Sequence, residues 1–154
     1  MNTEVYYSRI RSIFRPESLR QKRLIIAGMG SGGSRVAHEL GRLGVTLLLI
    51  DRPGELLEEH NIVRHALSYR SLGKPKATEM AKHIRSYNKK TKVAVAEIDI
   101  VADKARFTEV ASAFRPDVIM TCVDNEEAKH VVDEFAVETG IPTAGGAVFD
   151  GGVG

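Results

Sequence analysis

Short apolar runs alternate with amphipathic stretches along most of this chain. The apolar runs predict strands at Leu24–Ala27, Val45–Ile50, Val93–Ile100 and Val118–Cys122, and a last strand within Ile141–Phe149. Apolar positions at helical spacing predict helices at Ser34–Leu43, Ala77–Tyr87, Asp103–Phe114 and Glu126–Thr139. Pro75 precedes the second helix, and Gly44 and Gly140 follow the first and the last. The alternation predicts an α/β, Rossmann-like doubly wound fold, with a mainly parallel sheet and helices on both faces.

The first 20 residues differ from this pattern and are predicted to form a separate N-terminal helix or arm. The stretch Glu4–Arg20 is expected to be helical up to about Pro16, with one apolar side formed by Ile10, Ile13 and Phe14. Residues 21–154 are expected to form a single Rossmann-like nucleotide-binding domain. The closing residues Gly151–Gly154 are an unusual end for a domain, so we expect the domain to be incomplete at its C-terminus.

Composition restricts the class of protein. The chain has 154 residues, of which 43% are hydrophobic and 27% charged, as in ordinary globular domains. Its net charge of +2 argues neither for nor against a nucleic-acid partner, and its longest apolar run, Val45–Ile50, is too short to cross a membrane. Cys122 is the only cysteine, so no disulfide forms within the chain. No signal peptide is visible, and we expect a cytoplasmic protein with neither nucleic-acid nor membrane partners.

A glycine-rich turn is the first candidate site. Gly28-Met29-Gly30-Ser31-Gly32-Gly33 is a complete G-x-G-x-x-G between a predicted strand and a predicted helix, and Asp51 ends the next strand. In this arrangement Gly28 allows a tight turn, Gly30 lets the backbone approach phosphate, and Gly33 lets helix and strand pack closely. The helix N-terminus attracts the phosphates, and Asp51 accepts hydrogen bonds from ribose hydroxyls. We therefore expect Gly28, Gly30, Ser31, Gly32, Gly33 and Asp51 to bind a nucleotide.

Polar residues further along the chain favour a triphosphate over a dinucleotide. Asn61, Arg64 and Lys76 follow the second strand, and Asp124 follows a later one. The carboxyl ends of strands form the ligand-binding edge of an open α/β sheet. Arg64 and Lys76 supply the charge that a departing anionic group requires, and Asn61 orients oxygens without charge. Asp124 is expected to hold Mg²⁺ against the phosphates.

These segments together resemble the ThiF/MoeB/HesA adenylating enzymes, relatives of the ubiquitin-activating enzymes. The matching segments occur in family order: G-M-G-S-G-G, H-N-I-V-R-H, G-K-P-K-A, C-V-D-N and I-P-T-A-G-G-A. The resemblance implies that ATP and Mg²⁺ are used to adenylate the C-terminal diglycine of a ubiquitin-like or sulfur-carrier protein. It assigns the ribose to Asp51 or Glu55, the phosphates to Asn61, Arg64 and Lys76, and magnesium to Asp124.

The resemblance also implies a homodimer in which an arginine near the N-terminus reaches the partner's site. Arg9 is the candidate, and it completes the predicted catalytic set with Arg64, Lys76 and Asp124. The chain departs from the family in two ways. Two additional residues separate Asp51 from Glu55, so the ribose contact is open between them, and no Cys-x-x-C pair is present. We therefore expect no zinc site in this segment.

Two other functions fit a glycine-rich Rossmann loop. One is an NAD-binding oxidoreductase domain, although no general base for hydride transfer is evident. The other is a nucleotide-binding module without turnover. Among the remaining polar residues, His65 is expected to shape the segment around Arg64 rather than bind metal. His38, His83 and His130 are expected on solvated helix faces.

Overall fold

The computed structural model describes residues 3–146. Within them, five strands form one parallel sheet in the order β3-β2-β1-β4-β5. The strands are β1 (Arg23–Ala27), β2 (Thr46–Asp51), β3 (Val93–Glu97), β4 (Val118–Thr121) and β5 (Thr143–Gly145). The order reverses direction between β1 and β4, which makes the gap between them the switch point of the sheet.

The helices connect successive strands. They are α1 (Thr3–Tyr7), α2 (Pro16–Leu19), α3 (Ser31–Leu43), α4 (Lys76–Tyr87), α5 (Lys104–Phe114) and α6 (Glu126–Thr139). Two single-turn 3₁₀ helices, Glu59–Asn61 and Tyr69–Ser71, lie in the connection from β2 to α4. Gly44 and Gly140 end α3 and α6 in the left-handed conformation, with φ of 82° and 69°, as the sequence predicts.

Alternate side chains of the strands pack against opposite helical layers. Ile26 lies in the core with residues of α3 and α4, whereas Ile25 lies in the core with residues of α5 and α6. Strands buried on both faces are apolar at nearly every position, which explains the continuous apolar runs in the sequence. The predicted doubly wound α/β fold is confirmed.

The N-terminal segment differs from its prediction. A helix begins at Pro16 instead of ending near it, because proline fits the first turn of a helix, where no amide hydrogen is required. Ile13 and Phe14 are exposed. Tyr7 is buried, and a Cβ added at Gly44 would lie 2.5 Å from its hydroxyl oxygen. Since Gly44 precedes β2, the segment packs at the amino end of that strand.

Two predicted boundaries were also wrong. Helix α3 begins at Ser31, so Gly32 and Gly33 lie in its first turn, and β3 ends at Glu97. The prediction of solvated faces for His38 and His83 was wrong as well. Nδ1 of His38 lies 3.1 Å from Nε2 of His83, so the two rings join α3 to α4.

Candidate functional site

A cleft of about 770 Å³ opens at the carboxyl edge of the sheet. Residues at or just after the carboxyl end of each of the first four strands line it, among them Gly28, Asp51, Ile98 and Cys122. Its volume is typical of pockets for nucleotide-sized ligands. Most of the predicted site residues meet in this cleft, namely Gly28, Gly30, Ser31, Gly32, Asp51, Glu55, Asn61, Arg64, Lys76 and Asp124.

The glycines of the loop have different surroundings. Gly28 has a φ of +92°, and a Cβ there would lie 2.7 Å from the carbonyl oxygen of Cys122. A Cβ at Gly33 would lie 1.8 Å from the carbonyl oxygen of Gly28, so this glycine allows α3 to pack against the loop. At Gly30 and Gly32, in contrast, no atom of residues 3–146 lies within 4 Å of an added Cβ. The first and last glycines therefore serve the fold, and the two between them face open space.

Asp51 ends β2 beside the glycine loop. Its Oδ1 accepts a hydrogen bond of 3.3 Å from the backbone N–H of Met29. Its Oδ2 is buried and has no hydrogen-bond partner among residues 3–146. Burial raises the pKa of Asp51 to about 6, a shift that Met29, Lys76 and the backbone of Arg52 oppose and Glu55 reinforces. A buried carboxylate oxygen without a partner is uncommon in proteins and calls for a donor.

Glu55 is engaged differently. Its Oε1 accepts a hydrogen bond of 2.8 Å from Arg52, and its Oε2 accepts one of 2.7 Å from Lys76. The hydrogen bond from Lys76 is the main cause of the lowered pKa of Glu55. Lys76, the first residue of α4, is largely buried, with 13% of its side chain exposed. Glu55 thus holds the Lys76 ammonium group at the cleft.

Asn61 and Arg64 lie on the connection between β2 and α4. Oδ1 of Asn61 accepts a hydrogen bond of 3.0 Å from the backbone N–H of Glu58, which fixes its side chain. The carbonyl oxygen of Arg64 accepts a hydrogen bond of 3.2 Å from the Ser31 hydroxyl. Within the described part of the chain, the Arg64 guanidinium has no hydrogen bond or ion pair and remains available to an anion.

Asp124 is exposed and lies just before α6, whose N-cap Asn125 accepts backbone hydrogen bonds from Glu127 and Ala128. Residues 3–146 contain no group of three or more potential metal-binding side chains. Such a group is not required for Mg²⁺, which usually binds through one or two carboxylates together with substrate phosphates.

Arg9 is not among the residues that line the cleft. It follows α1, two residues after Tyr7, which packs at the amino end of β2. A contribution from Arg9 to a cleft would therefore have to come from another copy of the chain, and this role stays a prediction.

Sequence reasoning missed several residues that line the cleft. They are Arg52, Asp99 and Lys129, together with the stretch 100–102. The predicted strand Val93–Ile100 extended past the true end of β3 and concealed that Asp99 follows it. Position at a strand's carboxyl end was the signal that could have identified Asp99.

Fold and cleft together define a Rossmann-like α/β domain with a G-x-G-x-x-G loop at the switch point of its sheet. A model of the ThiF family matches residues 8–153, and the chain therefore belongs to this family. The resemblance noted from the sequence is confirmed. Among the described residues, no helix has the length and apolar character needed to cross a membrane.

Two relatives match most of the chain. The sulfur carrier protein ThiS adenylyltransferase of Bacillus subtilis is 30% identical over 135 residues, which cover 85% of this chain and 38% of the relative. The adenylyltransferase and sulfurtransferase uba4 of Aspergillus niger is 31% identical over 126 residues, which cover 80% of this chain and 25% of the relative. The chain thus spans well under half the length of either relative.

Solved structures share the fold. The tRNA N6-threonylcarbamoyladenosine dehydratase TcdA of E. coli matches with a TM-score of 0.80 at 20% identity, over 92% of this chain and 59% of that one. Its complex with ATP matches with a TM-score of 0.79 at 21% identity, over 91% and 57%. E. coli MccB in complex with AMPCPP and MccA matches with a TM-score of 0.79 at 19% identity, over 96% and 44%.

Proposed function

We propose that the cleft binds ATP and that the whole protein adenylates the C-terminal carboxylate of a ubiquitin-like or sulfur-carrier protein. The observation that carries this proposal is that the glycine loop, the cations Arg64 and Lys76 and several carboxylates, Asp51 and Asp124 among them, line one cleft at one sheet edge. The names of the two relatives, both adenylyltransferases, support it. A pyrophosphate requires little beyond the loop, whereas Arg64 and Lys76 suit a triphosphate that undergoes attack.

Each part of the cleft has a role in this proposal. The open space at Gly30 and Gly32, at the N-terminus of α3, accommodates the phosphates. Arg64 grips phosphate oxygens, since its guanidinium lacks a partner within residues 3–146. Asp51 holds the ribose, because its Oδ2 has no donor among residues 3–146, while both oxygens of Glu55 accept hydrogen bonds from cations.

The reaction transfers an adenylyl group. An oxygen of the carrier carboxylate attacks the α-phosphorus, the bond from this phosphorus to the bridging oxygen breaks, and pyrophosphate departs with the bonding electrons. Arg64 and Lys76 stabilise the negative charge that develops on the leaving group. Asp124 would hold Mg²⁺, which would supply positive charge against the phosphates. Arg9 of a second copy in a homodimer adds a further positive charge.

Carboxylate-dependent exchange between ATP and pyrophosphate tests this function in the whole protein. We expect exchange with at least one member of a panel of carriers that end in diglycine, and none with the same carrier after removal of its last glycine. Absence of exchange across the panel, with ATP bound, would favour a nucleotide-binding module without turnover. Tighter binding of NAD than of ATP would favour an oxidoreductase domain.

A further inference from the structure

His65 directly follows Arg64, and its side chain is buried against the glycine loop, with 4% of its surface exposed. Its Nε2 is 2.9 Å from the carbonyl oxygen of Met29, and its Nδ1 is 3.0 Å from the backbone nitrogen of Leu67. A peptide N–H only donates, so Nδ1 must be the unprotonated ring nitrogen. Nε2 therefore carries the hydrogen and donates it to Met29. Two backbone groups fix both the tautomer and the orientation of the ring.

The surroundings of His65 keep the ring neutral. Burial lowers the pKa of His65, the carbonyl of Met29 raises it, and the nearby cations Lys76 and Arg35 lower it. A doubly protonated ring would lose the acceptor that Leu67 requires. The neutral ring is thus the form that joins the two segments.

Met29 occupies a central position in the glycine loop. Its carbonyl oxygen accepts from His65, and its N–H donates to Asp51 at 3.3 Å. The carbonyl of Met29 and the N–H of Gly30 belong to one planar trans peptide and point in opposite directions. Because His65 holds that carbonyl, the N–H of Gly30 is directed away from His65. The orientation of a loop amide therefore depends on the ring of His65.

His65 also follows Arg64 directly in the chain. The carbonyl of Arg64 accepts a hydrogen bond of 3.2 Å from Ser31, and the N–H of Ala66 donates one of 3.2 Å to Ser34. These contacts hold the segment against the start of α3 on both sides of His65. The ring then fixes the distance between the loop and Arg64.

We propose that His65 is a positioning residue that sets the glycine-loop amides and the Arg64 guanidinium against the same phosphates. The proposal rests on ATP binding in the cleft. It requires a side chain with one donor and one acceptor, a combination that glutamine also offers. A leucine of similar size preserves the packing but supplies neither group.

The test compares the ATP affinity of His65→Leu and His65→Gln in the whole protein by calorimetry. Thr91→Val is the matched control, because it removes a buried hydrogen bond of 2.8 Å to Gly41 that lies outside the cleft lining. We expect His65→Leu to bind ATP about tenfold more weakly or worse, from the loss of two buried hydrogen bonds. The glutamine variant should remain within about threefold of the wild type, and Thr91→Val should match the wild type.

Two results would overturn the proposal: wild-type affinity in His65→Leu, or a tenfold loss in a folded His65→Gln. If the leucine variant does not fold, as judged by circular dichroism, the glutamine variant decides the question alone. Failure of the wild type to bind ATP would instead contradict the proposed function, so the two failures are distinguishable.

Discussion

The ammonium nitrogen of Lys76 lies 2.7 Å from Oε2 of Glu55, 21 positions earlier in the chain. Arg52 holds the other oxygen of the same carboxylate at 2.8 Å. Glu55 is therefore neutralised by cations of its own chain, while Oδ2 of Asp51 is buried without a partner among residues 3–146. The sequence does not decide whether Asp51 or Glu55 binds the ribose, but the structure shows that the two acids differ. Glu55 forms an ion pair with Lys76, whereas one oxygen of Asp51 can still accept a hydrogen bond.

This inequality predicts different losses of ATP affinity. Asp51→Asn should weaken binding by about 10- to 100-fold, because a hydrogen bond to a charged acceptor contributes about 1.5–3 kcal/mol. Glu55→Gln should cost only about threefold, since the neutral amide still accepts from Lys76 but holds it less strongly. Calorimetric titration of both variants measures the difference. A larger loss in Glu55→Gln would assign the ribose to Glu55 instead.

The stability of the ligand-free protein should depend on pH through Asp51. Burial raises the pKa of this carboxyl to about 6 in the folded protein from an ordinary value of 3.8. The folded state binds the proton of Asp51 more tightly than the unfolded state does, and this tighter binding stabilises the fold. The stabilisation is complete below pH 3.8 and is lost as the pH rises through about 6. The amide that Asp51→Asn introduces does not titrate. The wild type should therefore lose stability relative to the variant as the pH rises. The difference in unfolding free energy, variant minus wild type, should increase by on the order of 2 kcal/mol between pH 4 and pH 8.

Urea unfolding of both proteins across this pH range checks the effect. The other titratable groups are common to the two proteins and cancel in the difference. A difference in unfolding free energy that stays constant with pH would contradict the raised pKa of Asp51.

The glycine loop offers a matched pair of substitutions. Gly33→Ala should destabilise the fold by about 3 kcal/mol or more, because its Cβ would lie 1.8 Å from the carbonyl oxygen of Gly28. The Cβ of Gly30→Ala meets no atom of residues 3–146 within 4 Å, and Gly30 has a φ of −76°, so the variant should fold normally. It should nevertheless bind ATP at least about tenfold more weakly, because the methyl group occupies space reserved for phosphate.

Thermal unfolding and ATP titration separate the two effects. Unaltered ATP affinity in a folded Gly30→Ala would mean that phosphate does not approach this glycine.

Much of the fold could be predicted because the local signals agree. Strands buried on both faces appear as continuous apolar runs, and glycines in the left-handed conformation mark the ends of α3 and α6. The predicted start of α3 is too late because Gly32 and Gly33 disfavour helix by intrinsic propensity. Close packing of Gly33 against Gly28 outweighs that preference, and this contact is visible only in three dimensions.

The site could be predicted only in its parts. Asp51 and the loop are recognisable because strand, turn and helix impose their spacing. The connection from β2 to α4 has no periodicity, so nothing in the sequence shows that Glu55 bonds to Lys76 or that His65 reaches Met29. Such contacts depend on how a long loop folds back on the sheet.

We predict that Arg64 binds the nucleotide and contributes little to the stability of the fold. Its guanidinium has no partner within residues 3–146, so Arg64→Ala should leave the midpoint of thermal unfolding nearly unchanged. It should reduce exchange between ATP and pyrophosphate by about 100-fold, as expected for loss of a group that stabilises charge in the transition state. Arg70→Ala is the matched control: it removes an exposed cation from the same connection, outside the cleft lining. Unfolding of Arg64→Ala, or equal losses in both variants, would contradict the assignment.

The central claim is that this cleft is built for ATP, and the dissociation constants of ATP with Mg²⁺ and of NAD test it most directly. Both are measured by calorimetry on the whole wild-type protein, with Gly30→Ala as the control that the heat arises at the loop. The account predicts tighter binding of ATP than of NAD, and binding of both ligands weakened at least about tenfold in the variant. Tighter binding of NAD, or ATP binding that Gly30→Ala leaves intact, would contradict it.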